Sequence, residues 1–149
     1  MCLILLAWHA HPDYPLIVAA NRDEFFDRPT ESAHFWADAP SLLAGRDLLA
    51  GGTWMGITRT GRFAALTNYR EPESRQPLPE TLSRGRLVSD FLTGVQTAEA
   101  YLADLAPHAR DYRAFNLLCG TLADGIWHYS NRPDGETDTG CMQPLEPGI

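Results

Sequence analysis

The sequence predicts an α+β fold in which strands pack in sheets and helices cover the outside. Three observations lead to this class. Three separate segments carry strand–turn–strand patterns, one intervening stretch (83–106) has a helical period, and 44% of the 149 residues are hydrophobic. A chain of this length and composition can bury one substantial core, so we expect a single domain over residues 1–149.

The first segment predicts a hairpin. Residues 3–8 (LILLAW) form a continuous apolar run, which is typical of a strand buried on both faces. Prolines and Asp13 supply turn chemistry in residues 9–15, and residues 16–20 (LIVAA) predict the second strand. That strand leads into the polar cluster at 21–24 (NRDE). We interpret residues 27–51, with their prolines and small residues, as irregular.

A second hairpin is predicted from residues 53–59 and 62–69, with Gly61 supplying the positive φ of the turn. The Pro-rich stretch at 70–79 predicts a loop. Between Ser83 and Ala106 the apolar residues recur at helical spacing, and Gly94 divides two short helices. Thr97 is a candidate N-cap for the second helix.

The third hairpin is predicted from residues 115–120 and 126–131, which flank the turn residues Asp124 and Gly125. Residues 132–149 predict a loop. About six strands with two helices would leave a sheet face uncovered, so we expect this chain to be the N-terminal portion of a longer domain, incomplete at its C-terminal side.

Composition and charge restrict the function classes. The net charge is −7 with a pI near 5.1, which argues against a nucleic-acid partner. Lysine is absent, which excludes Schiff-base and P-loop lysine chemistry. The three cysteines contain no CxxC pair, and the chain contains neither a membrane span nor a secretory leader, so we expect free thiols and a cytoplasmic location. We expect no cofactor and no metal, and discount His9 and His11 because no partner ligand lies at motif spacing.

Cys2 is the most informative residue for chemistry. Removal of the initiator methionine would leave a thiol and a free α-amino group on the same residue. With a pKa of about 7.7–8.0, that amine can accept the thiol proton near neutral pH, so the nucleophile carries its own base. The alternative interpretation is a small apolar residue that starts a buried strand.

The polar cluster after the second strand favours the functional interpretation. A hairpin that starts at Cys2 returns the end of its second strand to the start of its first. Arg22 could there stabilise a thiolate by charge, and Asp23 could accept hydrogen bonds from the amine. The alternative is an ordinary charged strand end exposed to solvent.

Several motifs resemble those of the NRDE family, also called the transport and Golgi organisation protein 2 family. The motifs are MCLI at 1–4, ANRDEFFDRP at 20–29, GGTWMG at 51–56, LTNYR at 66–70, FNL at 115–117 and YSNR at 129–132. The resemblance covers essentially the whole chain. Family members are typically longer, which agrees with the expected truncation.

The resemblance implies the N-terminal-nucleophile hydrolase fold, an αββα sandwich. A more distant resemblance links the chain to choloylglycine hydrolase and penicillin V acylase, which also open with Met-Cys. By that resemblance, Arg22 and Asp23 match an Arg and an Asp near the nucleophile, and Asn68 and Asn131 match oxyanion donors.

Two departures from those acylases stand out. Arg22 and Asp23 are adjacent rather than two residues apart, so both reach Cys2 only if the strand has ended or bends there. The acylases also use a later arginine, for which the sequence indicates no position.

Two functions follow as expectations. The first is a cysteine amidohydrolase that acts on a small acylated molecule, with Cys2, Arg22, Asp23, Asn68 and Asn131 as its catalytic set. The second, implied by the family resemblance, is a non-catalytic protein that binds or carries haem, acyl-CoA or lipid. Both take a small-molecule ligand, and the sequence leaves its identity and the oligomeric state open.

Overall fold

Strands and helices form three layers in the part of the chain that the computed structural model describes, which is residues 2–68, 82–132 and 140–149. The strands are β1 (Leu3–Trp8), β2 (Leu16–Asn21), β3 (Thr30–Trp36), β4 (Ala39–Asp47), β5 (Met55–Thr58), β6 (Arg62–Asn68), β7 (Phe115–Thr121), β8 (Gly125–Ser130) and β9 (Cys141–Pro144). The helices are α1 (Arg84–Thr93) and α2 (Ala98–Leu105), followed by a 3₁₀ helix at Ala106–Asp111.

The middle layer is a seven-stranded antiparallel sheet whose strands follow chain order, from β3 at one edge to β9 at the other. Both helices lie in the connection between β6 and β7. The second and third predicted hairpins are confirmed as β5–β6 and β7–β8. Gly61 adopts the positive φ that the sequence predicts, 80°, and Gly125 at the other predicted turn has a φ of 96°.

The helices cover one side of this sheet. The apolar face of α1 (Leu87, Val88, Phe91 and Leu92) is buried, and Leu102 and Leu105 of α2 extend the same core. Thr97 caps α2 by accepting a hydrogen bond from the Ala100 N–H at 3.2 Å, and α1 gives way to Gly94, so both helix predictions are confirmed.

The hairpin β1–β2 covers part of the other side of the sheet. Its register runs from Leu3 opposite Asn21 to Trp8 opposite Leu16. The inward-facing residues Ile4, Leu6, Trp8, Leu16 and Val18 pack against a smaller core. That core includes Phe63, Ala65, Leu118 and Ile126 of the large sheet.

The prediction that β1 is buried on both faces is wrong for its outer face. Leu3 is 49% exposed and Leu5 is 58% exposed. The reason is structural, since the inner face packs on the large sheet while no element of the described residues packs on the outer face.

Two segments predicted as irregular contain strands. Residues 27–51 form β3 and β4, and residues 132–149 include β9. Both β3 and β9 are edge strands with mostly exposed side chains, so they pair through the main chain and carry no apolar period. Pro40 stands near the start of β4, where a missing N–H is tolerated. The loop predicted at 70–79 lies outside the described residues.

The α+β class is therefore confirmed, with one helical layer, a large antiparallel sheet and a two-stranded sheet among the described residues. Among these residues, no helix is long and apolar enough to cross a membrane.

Candidate active site

The start of the hairpin places Cys2 beside the segment that follows β2. Leu3 pairs with Asn21, so Cys2 lies opposite the next residues of the chain. The Asp23 backbone N–H donates to the Cys2 sulfur over 3.3 Å, and the Asp23 carbonyl oxygen lies 3.9 Å from the same atom. Both contacts come from the backbone of Asp23, so the segment after β2 fixes the position of the Cys2 sulfur.

Because β2 ends at Asn21, the alternation of side chains stops before Arg22 and Asp23. Both residues, together with Glu24 and Cys2, line one cleft. The adjacency of the Arg and the Asp is therefore compatible with a shared site.

Ion pairs hold the segment that follows β2, residues 22–28, in place. Arg22 lies 3.3 Å from Glu24, and Arg28 donates to Asp47 at the end of β4 over 2.7 and 3.0 Å. Burial opposes ionisation of Asp47, but hydrogen bonds from Arg28 and from the Leu49 and Ala50 N–H groups hold its pKa below the usual value. The loop that carries Asp23 is thus anchored to the large sheet.

The cleft has a volume of about 900 Å³ and lies between the hairpin, strands β3–β6 and the start of α1. One part of its lining is apolar, including Leu16, Val18, Leu43, Met55, Ile57 and Phe63. Another part is charged or polar, including Cys2, Arg22, Asp23, Glu24, Arg28, Asn68, Arg84 and Arg113. Such a cleft can take a molecule with an apolar part and a polar group next to the thiol.

Asn68 ends β6, pairs with Phe115 of β7 and is exposed at the cleft. The structure therefore brings Asn68 to the same cleft as Cys2, Arg22 and Asp23, four residues that the sequence singled out. The rest of its motif, from Tyr69 onward, lies outside the described residues.

Asn131 lies elsewhere. It is 3% exposed, accepts from the Phe115 N–H over 2.8 Å and donates to the Ala109 carbonyl over 2.8 Å. Its amide also approaches the carbonyls of Tyr112 and Arg113. Asn131 is not among the residues that line the cleft, and these contacts use its amide to fasten the 3₁₀ helix to β7.

The sequence indicates no position for the later arginine of the acylases, but two later arginines of this chain lie at the cleft. Arg84, at the first turn of α1, and Arg113, before β7, both line the cleft. Arg84 donates to the Ala114 carbonyl over 2.8 Å, which holds its side chain between these two segments. Only the tertiary structure reveals this, because more than 80 residues separate these arginines from Cys2 in the sequence.

The glycine pair in the GGTWMG motif is the feature of the sequence that could have indicated the position of Arg84. A Cβ on Gly52 would lie 2.4 Å from the Gly85 carbonyl carbon, and the Thr53 N–H donates to the Gly85 carbonyl over 3.2 Å. Only glycine permits so close an approach, and that approach sets the start of α1, with Arg84, against the cleft.

Comparison with known proteins gives a family match over nearly the whole chain. The sequence model of the family described as Transport and Golgi organisation 2 matches residues 1–146. The Transport and Golgi organization 2 homolog of Mus musculus is 38% identical over 147 residues, which cover 91% of this chain and 52% of the mouse protein.

Two further relatives agree. The Homo sapiens Transport and Golgi organization protein 2 homolog is 38% identical over 160 aligned positions, covering all of this chain and 56% of the human protein. The Drosophila melanogaster Transport and Golgi organization protein 2 is 36% identical over 131 positions, covering 79% of this chain and 45% of the fly protein. The chain spans about half the length of the curated relatives it matches.

Proposed function

The chain belongs to the Transport and Golgi organisation 2 family, and from that premise we propose that it is a cysteine amidohydrolase with Cys2 as its nucleophile. The observation that carries the proposal is the placement of the Cys2 sulfur, 3.3 Å from the Asp23 N–H, in a cleft shared with Arg22 and Asn68. The substrate class is a small acylated amine, whose apolar acyl part fits the Leu43, Ile57 and Phe63 side of the cleft.

The reaction begins with a free α-amine on Cys2, exposed by removal of Met1. The amine takes the thiol proton, the sulfur attacks the amide carbonyl, and the C–N bond breaks as the leaving nitrogen receives that proton. The product of this step is a thioester on Cys2. Water then attacks the thioester, releases the carboxylic acid and returns the proton to sulfur.

The neighbouring residues have distinct roles in this scheme. The Asn68 amide donates to the oxyanion that forms during each attack, where one such donor is worth about 3–4 kcal/mol of barrier. Arg22 stabilises the thiolate by its charge, and Asp23 accepts hydrogen bonds from the α-amine. Asn131 remains a predicted second oxyanion donor from the more distant resemblance to the acylases, and its position away from the cleft favours a structural role.

The fold supports a related proposal about the domain. The helical layer, the large sheet and the small second sheet are compatible with three layers of an αββα sandwich of the N-terminal-nucleophile type. We place residues 1–149 as the first portion of such a domain. Free Cys2, Cys119 and Cys141 support a reducing, cytoplasm-like location.

The apolar side of the cleft also favours a second candidate, a protein that binds haem, acyl-CoA or lipid without turnover. Arginines at the polar end would pair with the carboxylates or phosphates of such ligands. Haem titration separates the two candidates. Binding of haem without turnover is favoured if the Soret shift has equal size in the wild type and in Cys2→Ala and if no amide forms a thioester on Cys2.

The decisive test of the hydrolase is intact-mass spectrometry before and after brief exposure to a mild thiol electrophile at pH 7. We expect loss of Met1 and labelling of Cys2 at least about tenfold faster than the exposed Cys141. Burial raises the pKa of the Cys119 thiol to about 12, so Cys119 serves as the unreactive internal reference.

Two results would contradict the mechanism. Retention of Met1 leaves no free α-amine on Cys2, and labelling of Cys2 no faster than Cys141 shows that its thiol is not activated. If Cys2 is activated, amide hydrolysis should be lost in Cys2→Ala and should fall about 100-fold in Asn68→Ala, mainly in kcat. Full amidase activity in Cys2→Ala would exclude Cys2 as the nucleophile.

A further inference from the structure

The outer face of the β1–β2 hairpin is apolar and uncovered among the described residues. Its side chains are those of Leu3, Leu5, Ala7, Ile17, Ala19 and Asn21, which follow from the strand register. Leu3, Leu5 and Ile17 are 49%, 58% and 44% exposed. An antiparallel hairpin with one face in solvent normally alternates apolar and polar residues, whereas this face carries no charge at all.

The outer edge of β1 already accepts a main-chain partner. The Trp8 N–H donates to the Gly148 carbonyl, and the Gly148 N–H donates to the Trp8 carbonyl, both over 2.8 Å in an antiparallel bridge. Alternate residues of a strand direct their main-chain groups to the same side, so Ile4 and Leu6 present theirs along the same edge as Trp8. The bridge therefore sets the direction and register for further pairing.

We propose that this edge and outer face bind a polypeptide segment that corresponds to the part of the longer relatives outside the matched region. Its first strand pairs antiparallel with β1 next to Ile4 and Leu6, and its apolar side chains cover Leu3, Leu5 and Ile17. The matched region is 52% of the mouse relative and 56% of the human relative. Each relative therefore has enough further chain to supply both the pairing strand and the apolar side chains that cover the outer face.

This surface is separate from the proposed active site. Of the hairpin residues, Leu16 and Val18 face the cleft, while Leu3, Leu5 and Ile17 do not line it. The proposal thus concerns how the small sheet is completed and does not depend on catalysis by Cys2.

Hydrogen–deuterium exchange of the β1 amides tests the proposal. The chain is measured alone, mixed with the mouse segment outside the match, and joined to that segment after Ile149, which raises its effective concentration. We expect the Ile4 and Leu6 amides to exchange at least about tenfold more slowly in the joined protein than in the chain alone.

Matched variants locate the binding surface. Leu5→Asp should abolish the slowing, because it places a charge in the covered face. Val95→Asp should leave it intact, since Val95 is 96% exposed in the connection between the two helices, on the far side of the large sheet. Thermal unfolding of both variants in the unjoined chain serves as the folding control.

Three outcomes would overturn the proposal. One is unchanged exchange at Ile4 and Leu6 in the joined protein. Another is equal slowing in Leu5→Asp and the wild type. The third is slowing that appears in the chain alone and grows with its concentration, which would identify a second copy as the occupant. Cys2 labelling is measured separately, so failure here is distinguishable from failure of the hydrolase mechanism.

Discussion

The two sides of the seven-stranded sheet differ in how completely they are covered. On the helix side, Phe91, Leu102, Phe115 and Leu117 have no exposed surface, and they belong to one continuous core. On the hairpin side, the core has four buried residues (Trp8, Phe63, Ala65 and Ile126), and most of its other members are half-buried. The helix side supplies most of the stability, whereas the cleft, Cys2 and the uncovered apolar face all belong to the hairpin side.

This division separates stability from chemistry. The proposed nucleophile needs a surface that a ligand can reach, and the incompletely covered side provides one over strands β3–β6. The closely packed side in turn holds that surface in place. Mutations on the two sides should therefore differ in size and in what they disturb.

The largest contrast is expected from two phenylalanines. Phe91→Ala on the helix side should lower the free energy of unfolding by about 3–5 kcal/mol, because its ring packs against Tyr101 and Arg62 in a fully buried site. Phe63→Ala on the hairpin side should cost about 2–3 kcal/mol, since the neighbouring cleft lets the site relax. Urea unfolding measures the free energy of unfolding of both variants. Equal losses of that free energy would show that the two sides of the sheet are packed equally well.

The second-largest effect on stability is expected at Asn131. Asn131→Ala should lower the free energy of unfolding by about 2–4 kcal/mol, because it leaves the Phe115 N–H and the Ala109 carbonyl without their buried partner. Asn116→Ala is the matched control, with a single 3.4 Å contact to Thr67 and an expected loss of about 1 kcal/mol or less. The rate of Cys2 labelling should not change in either variant. If Asn131→Ala instead keeps the stability of the wild type but loses amide hydrolysis, the result would support an oxyanion role for Asn131.

The smallest effect should come from the ion pair that anchors the Asp23 loop. Arg28→Ala should lower the free energy of unfolding by about 1–2 kcal/mol at pH 7. Because the folded-state pKa of Asp47 is lowered, this stabilisation is present above the unfolded-state pKa of about 3.9 and disappears as the pH falls through the folded value. The difference between wild type and Arg28→Ala in urea unfolding should therefore shrink between pH 5 and pH 2. Arg46→Ala, which breaks the more exposed pair with Asp38, should have a smaller effect.

The sequence predicted the elements that carry a clear apolar pattern or turn signal. Strands β1–β2 and β5–β8, both helices and the Thr97 cap follow from apolar runs, apolar spacing and turn residues. It missed β3, β4 and β9. Strands β3 and β9 bury few side chains and depend mainly on main-chain pairing. Strand β4 buries Leu42 and Ala44, but Pro40 and the small residues around it hid its pattern. It also missed the exposure of the hairpin's outer face, because a local apolar run carries no information about what covers it.

The candidate site was predictable in part for a similar reason. Cys2, Arg22 and Asp23 are brought together by one hairpin, so their proximity follows from local sequence. Asn68, Arg84 and Arg113 reach the cleft only through the tertiary packing of β6, α1 and the segment before β7. The resemblance to the acylases pointed to Asn68, while the arginines carried no local pattern.

The contacts of Trp8 have a consequence for the order of folding. Trp8 packs in a cluster with Ile126 and Leu145 and bridges to Gly148, about 140 residues later in the chain. The helix-side core closes within residues 36–129 and needs no part of the hairpin. Since the entropy of closing a loop grows with its length and Leu145 and Gly148 are translated long after Trp8, the hairpin docks late. At about 5–20 residues per second, a ribosome exposes Cys2 on an undocked strand for on the order of ten seconds, long enough for methionine removal to precede assembly of the cleft.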